Sequence, residues 1–282
     1  MTFRLIRQLA LVFATTAVLL TAFAQTALAN SNEYSTPGTW LEGFKPNYFL
    51  YGNPDSKIQV SAKAQLFESR RLYFAYSQTM FWRIAETSSP MSDVDFNPEI
   101  FYRIELHGPQ KDSNTKDPEP APDDVAEGPK SWIDVGLFEH ESNGQSGLTS
   151  RSWNRSYVRY VNESRYENDV RVYFSAKVWI PYATSSKNGD ILDYRGIYEL
   201  QLTVANLLGQ SFGRNDMTLR LYPGGVSSVN PFEGGQELTI RFARKGQIQF
   251  VPLWSMQLFN GTGESLLDYK NRRTILRAGL SF

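Results

Sequence analysis

From residue 47 onward, apolar and polar residues alternate along the chain with a period of two. Ile58, Val60, Ala62, Ala64 and Leu66 interleave with Lys57, Gln59, Ser61, Lys63 and Gln65. Val170, Val172, Phe174, Ala176, Val178 and Ile180 interleave with Arg171, Tyr173, Ser175 and Lys177 in the same way, and Thr274 to Phe282 does so again. Side chains at i and i+2 of an extended chain share a face, so each stretch predicts a strand with one apolar and one polar side. Twelve segments follow this rule, at 47–53, 57–67, 71–84, 99–106, 131–142, 154–163, 170–181, 195–207, 216–222, 236–244, 247–259 and 272–282. The first and the fifth leave open which face is which. No helical period competes after residue 30, so the class is all-β.

The polar faces carry Lys63, Arg103, Glu105, Arg155, Arg159, Arg171, Lys177, Arg220 and Arg241. A soluble sheet with its charges in water fits this pattern locally. So does a closed barrel with lipid outside and a polar interior. Three features favour the barrel. The strand count is even. Tyr48, Trp82, Tyr182 and Trp254 fall toward strand ends, as in interfacial girdles. The last alternating segment ends on Phe282, which resembles the ending of bacterial outer-membrane barrels. The expectation is a transmembrane antiparallel up-and-down β-barrel of about twelve strands over 47–282.

The first 29 residues differ. Arg4 and Arg7 precede an apolar run from Leu9 to Phe23, and Ala27-Leu28-Ala29 supplies small residues for cleavage. This pattern predicts a secretory signal peptide, followed by an N-terminal periplasmic segment at 30–46. His107 to Lys130 holds five prolines and many acids, and predicts a flexible loop on the periplasmic side. Lys plus Arg equals Asp plus Glu at 29 each, so charge gives no reason to expect a nucleic-acid partner. The absence of cysteine excludes disulfides, thiolate catalysis and cysteine-based zinc sites.

Two histidines are available as catalytic bases, His107 and His140. His107 borders the proline-rich loop. His140 stands two residues before Ser142, so in a strand both project from one face. Asn154 begins the next segment and can lie across the hairpin, where its amide oxygen could orient the imidazole. Gly209-Gln210-Ser211-Phe212-Gly213 matches a nucleophile-elbow pattern, but joins two alternating segments without the helix that gives the pattern meaning.

His140-Glu141-Ser142-Asn143-Gly144, followed by Thr149-Ser150-Arg151-Ser152-Trp153-Asn154-Arg155, resembles the signature of the outer-membrane phospholipase A family. Gly263 to Tyr269 and Tyr76-Ser77-Gln78 with Trp82 are similar to that family as well. The resemblance implies a bacterial outer-membrane enzyme that hydrolyses both acyl esters of glycerophospholipids, with its active site toward the outer leaflet. Ser142 would be the nucleophile, His140 the base and Asn154 the orienting residue. It also implies Ca2+ beside the site, with the Gly144 amide serving the oxyanion. The metal ligands would be the main-chain oxygens of Gln145 and Ser150 and the hydroxyl of Ser88, or of Ser89, from a second subunit. Gln145 stands where the family usually has arginine, and Gly147 where an aspartate is common. The family's activity depends on dimerisation. Gln78 shares its parity with Leu72, Phe74, Tyr76, Met80 and Trp82 on the expected lipid side, where a second Gln78 across a two-fold axis would give its amide a partner. A non-catalytic barrel with a transport or structural role, and a secreted soluble esterase, are the alternatives.

Overall fold

The computed structural model describes residues 41–67, 71–107, 130–209, 213–225, 230–243 and 252–282. The expected signal peptide, most of the 30–46 segment and of the 107–130 loop, Ser211, and the start of the 247–259 segment lie outside them. The strands are β1 (Leu41–Gly43), β2 (Tyr48–Gly52), β3 (Ser56–Gln65), β4 (Leu72–Trp82), β5 (Met91–His107), β6 (Lys130–Ser142) and β7 (Ser152–Arg165). They continue as β8 (Arg171–Thr184), β9 (Tyr198–Ala205), β10 (Asn215–Tyr222), β11 (Gly235–Phe242), β12 (Leu253–Gly261) and β13 (Arg273–Ser281), with one short helix, α1 (Leu192–Arg195).

From β2 onward every strand pairs antiparallel with its neighbours in sequence, and β13 returns to β2 from Arg277↔Gly52 to Ser281↔Tyr48. β1 pairs with β3 at Leu41↔Ala64, beyond the point where β2 pairs with it at Tyr48↔Gln59. The two short strands therefore share one position in a closed ring of twelve. Closure gives every strand from β2 to β13 a ladder partner on both sides, which is the condition for a sheet to cross hydrocarbon.

The alternation decides what faces lipid. Val178, Ile180, Tyr182, Trp254 and Leu276 are exposed on the outer wall. Their neighbours point into the lumen, where the charges of the polar faces meet. Arg277 is 1% exposed and reaches Glu264 at 2.5 Å and Asp55 at 2.6 Å, while Lys57 Nζ lies 2.7 Å from Glu237. Charges removed from water need such partners, because desolvation otherwise exceeds any gain. Ile191, Leu266 and Tyr269, from two loops at one end, pack into the same buried cluster as Trp153 and Trp179. The Leu266 and Leu267 amides donate to Asp95 (3.1 Å) and Asp93 (2.7 Å) on the inner face of β5. These loops fold into that mouth of the barrel.

Two expectations require correction. Tyr48 is not part of an outer girdle. It is buried, bonds Gln59 at 3.4 Å and lies under Lys57, because Phe49 and Tyr51 hold the outward phase of β2. β5 also begins at Met91, eight residues before the predicted segment. Asp93, Asp95 and Asn97 line its inner face, and Pro98 interrupts the pattern, so the stretch reads as a loop in sequence.

Candidate active site

β6 changes phase midway. Asp134 and Gly136 are buried, and so are Glu139 and Glu141, an odd number of residues away. Gly136 pairs with Tyr157 but Glu139 pairs with Arg155, so three steps on β6 match two on β7. This is a β-bulge. Leu137 and Phe138 both face outward in it. Without the extra residue, His140 and Ser142 would continue the parity of Asp134 and point into the lumen. The bulge places them on the lipid side. Gly136 permits the local packing, since a Cβ there would fall 2.2 Å from the Tyr157 ring.

His140 pairs across the hairpin with Asn154, and Ser142 with Ser152. His140 Nδ1 lies 2.6 Å from Asn154 Oδ1. An amide oxygen only accepts, so Nδ1 carries a proton, and in the neutral ring Nε2 keeps its lone pair. The ring stacks with Phe138 of the bulge at 6.2 Å between centroids and 6° between planes. Gly144, at φ +63°, turns its N–H back to Ser142 Oγ at 3.2 Å. A side chain at Gly144 would adopt a disfavoured backbone and meet Phe96 at 2.9 Å. The structure thus brings His140, Ser142, Asn154 and Gly144 together on one patch of outer wall.

Behind this patch, Glu139 holds Arg155 at 2.6 and 2.7 Å and Lys177 at 2.9 Å, while Glu141 accepts from Trp153 at 3.0 Å and pairs with Arg195 at 3.2 Å. Ion pairs on the inner face fix the register on which the outer face depends. The loop beyond is closed by Asn143, which accepts from the Arg151 amide (2.9 Å) and donates to the Thr149 carbonyl (2.8 Å). Asn188, fully buried, accepts from Ser152 N–H and donates to Ser152 O, both at 3.2 Å. It extends the β7 ladder by a side chain. Sequence reading missed Asn188, which sits in an ordinary-looking Lys-Asn-Gly-Asp turn, and Phe96, which lies in the unassigned part of β5.

The other expected residues fall as follows. Ser88 and Ser89 stand in the β4–β5 loop at the same end as the 143–151 loop, at φ +67° and +41°. Ser89 Oγ donates to Ile84 O at 2.9 Å, whereas Ser88 is exposed and, among the described residues, its hydroxyl has no partner. Gln145 is exposed, and the Ser150 carbonyl accepts from Arg151 Nη1 at 2.9 Å. Gln78 lies in the same cross-strand row as Ser142, with Phe96 between them. Its side chain is nevertheless covered. Oε1 accepts from Tyr76 at 3.0 Å, and buried Nε2 has no partner among the described residues. His107 ends β5 at the opposite end of the barrel, and the glycines flanking Ser211 turn the chain at that same far end. Among the described residues no group of three or more His, Asp or Glu side chains gathers to hold a metal.

The sequence model of the phospholipase A1 family matches residues 15–282. A phospholipase A1 of Proteus vulgaris is 26% identical over 275 residues, covering 88% of this chain and 83% of that protein. That of Escherichia coli is 26% identical over 208 residues, covering 73% and 60%. A relative from Neisseria meningitidis serogroup B reaches 30% over 269 residues, and the chain spans 61% of its length. Among solved structures, the Salmonella typhi outer membrane phospholipase dimer with bound calcium superposes with a TM-score of 0.67 at 22% identity, over 89% of this chain and 94% of that one. Outer membrane phospholipase A of Escherichia coli gives 0.66 at 22%, over 86% and 94%.

Proposed function

The chain belongs to the phospholipase A1 family, and from that premise we propose that it hydrolyses the acyl esters of glycerophospholipids, at either glycerol position, in the bacterial outer membrane with its site toward the outer leaflet. The observation that carries this reading is the 2.6 Å contact between His140 and Asn154 on the lipid-facing side of the wall, beside Ser142. A porin-like role would keep its functional groups in the lumen, whose lining here is made largely of charges paired with one another.

Ser142 Oγ attacks the ester carbonyl carbon while His140 Nε2 takes the hydroxyl proton. Asn154 holds Nδ1–H, keeping the tautomer that can accept this proton without adding a charge. The Gly144 N–H, already directed at Ser142 Oγ, donates to the oxyanion that forms. His140 then passes its proton to the departing glycerol oxygen, leaving an acyl-serine. In the second half, water gives a proton to His140 as its oxygen attacks the acyl carbonyl, and His140 returns that proton to Ser142 Oγ as the acyl–oxygen bond breaks, so that a fatty acid leaves and the serine is restored.

Calcium fits the residues present. The donors are neutral hard oxygens, which suit that ion. The guanidinium of Arg151 against the Ser150 carbonyl is a stand-in cation at one of them. The main-chain oxygens of Gln145 and Ser150 would hold the metal with Ser88 Oγ of a second copy, and the uncommitted hydroxyl of Ser88 supports it over Ser89. When bound, the ion supplies positive charge to the developing oxyanion. A homodimer is therefore the active form in this reading. Gln78 takes part through Nε2, once its covering side chains give way.

Lipolysis by the refolded protein in mixed micelles, first with calcium and then with chelator, tests the proposal. Activity should require calcium and disappear in Ser142→Ala. Full activity of Ser142→Ala would overturn the triad, whereas full activity in excess chelator would remove only the metal.

A further inference from the structure

Residues 143–150 contain no acid, and the 143–151 loop carries a single charge, that of Arg151. Every carbonyl from Ser146 through Arg151 is taken by a donor within the loop. Thr149 Oγ1 serves Ser146 O, Ser150 N serves Gly147 O, Asn143 Nδ2 serves Thr149 O and Asn143 N serves Arg151 O. The remaining two, Leu148 O and Ser150 O, converge on one atom, Arg151 Nη1, at 2.8 and 2.9 Å. Two main-chain oxygens two residues apart, aimed at a single positive centre, is how a loop holds a hard cation. Here the loop fills that place with its own side chain. Among the described residues the Nε of the same guanidinium is buried without a partner and no carboxylate pairs with the group, so these carbonyls hold it.

We infer that Arg151 is an internal cation that competes with the divalent ion for the Ser150 carbonyl and so sets the calcium affinity of the site. The inference rests on the calcium reading above. A metal on Ser150 O would lie about 2.4 Å from that oxygen, while the guanidinium nitrogen lies 2.9 Å from it. The ion and Nη1 could then be no more than about 5.3 Å apart. Even at the dielectric of water, a +2 and a +1 charge at that distance repel enough to weaken binding by about tenfold. Either the guanidinium leaves its two carbonyls when the metal arrives, or the metal binds against it. In both cases the loop stays closed without metal, because Arg151 already ties Leu148 to Ser150.

Calcium titration calorimetry on the full-length, detergent-refolded protein tests this. Arg151→Gln should bind calcium about tenfold more tightly than the parent at low ionic strength. Arg151→Lys, which keeps the charge, should stay close to the parent. Parent affinity should also rise, not fall, when tetramethylammonium chloride goes from about 20 to about 500 mM, since screening removes a repulsion. This second arm holds even if Arg151→Gln fails to fold. Equal or weaker binding by a folded Arg151→Gln, or parent affinity that falls with salt, would overturn the inference while leaving the calcium site standing. Absence of binding in all three proteins, with lipolysis insensitive to chelator, would overturn the calcium reading and this inference with it.

Discussion

The two faces of the β6–β7 hairpin differ in almost every respect except their position. The inner face carries Glu139, Glu141, Arg155 and Trp153, each bonded to at least one of the others or to Lys177 and Arg195. The outer face carries His140, Ser142 and Asn154, joined by one hydrogen bond and one ladder register. Stability is concentrated on one side and chemistry on the other, in strictly alternate residues. A charged site on the outer face would stand against lipid at a cost that grows with depth, from about 0–1 kcal/mol for a cation near the interface to about 2–4 at the midplane, and less for a carboxylate. An imidazole oriented by an amide avoids that cost, which is a physical reason for asparagine in place of aspartate.

Experiments that exchange or erase this division should have effects of graded size. Deleting Leu137 removes the bulge and exchanges the faces, turning His140 and Ser142 inward and Glu139 and Glu141 toward lipid. Lipolysis should fall to background and resistance to urea should drop with it. An active deletion variant would show that the bulge does not set the phase. Ser142→Ala or His140→Ala erases the outer face alone. Activity should fall by several orders of magnitude, with circular dichroism unchanged and Ser211→Ala near the parent.

Glu139→Gln erases the inner face and leaves Arg155 and Lys177 buried without their partner. The expected loss is about 3–5 kcal/mol of stability, read from urea unfolding in micelles. Lipolysis per folded molecule should stay near the parent level. Asn154→Ala should slow lipolysis less than removal of the base does, by on the order of ten- to a hundredfold, the worth of one orienting hydrogen bond. A loss as large as that of His140→Ala would mean that the amide does more than orient.

The smallest effect belongs to the loops over the mouth. Hydrogen bonds from Lys270 and Tyr269 hold the Asp190 carboxyl below its ordinary value of 3.8. A lowered carboxylate contributes stability above the ordinary aspartate range and loses it as pH falls through the lowered value. The difference in thermal midpoint between parent and Asp190→Asn should therefore be present at neutral pH and shrink below about pH 4.

β8 and β6 show what could be read from sequence. β8 holds one phase from Val172 to Ile180, and its outer residues were evident from alternation alone. β6 changes phase at Leu137–Phe138, and no local feature announces a bulge, so the fifth segment could not be phased. β2 was ambiguous for a different reason, since its five residues are nearly all aromatic or aliphatic and Tyr48 suits either side. The pairing of His140 with Asn154 was legible because hairpin neighbours are local in sequence. Asn188 was not, because it reaches Ser152 from 36 residues away through side-chain atoms that no period encodes.

The bulge also bears on how such a site could arise or be moved. In a closed barrel, a one-residue insertion within a strand sends the side chains beyond it that faced the water-filled interior to the bilayer, and brings their alternate neighbours in, with no change of side chain. Protein engineers could use the same operation in reverse. A histidine and serine two apart on a lumen-facing stretch of any barrel could be turned toward lipid by adding one residue below them, and the neighbouring charges would have to be rewritten to match.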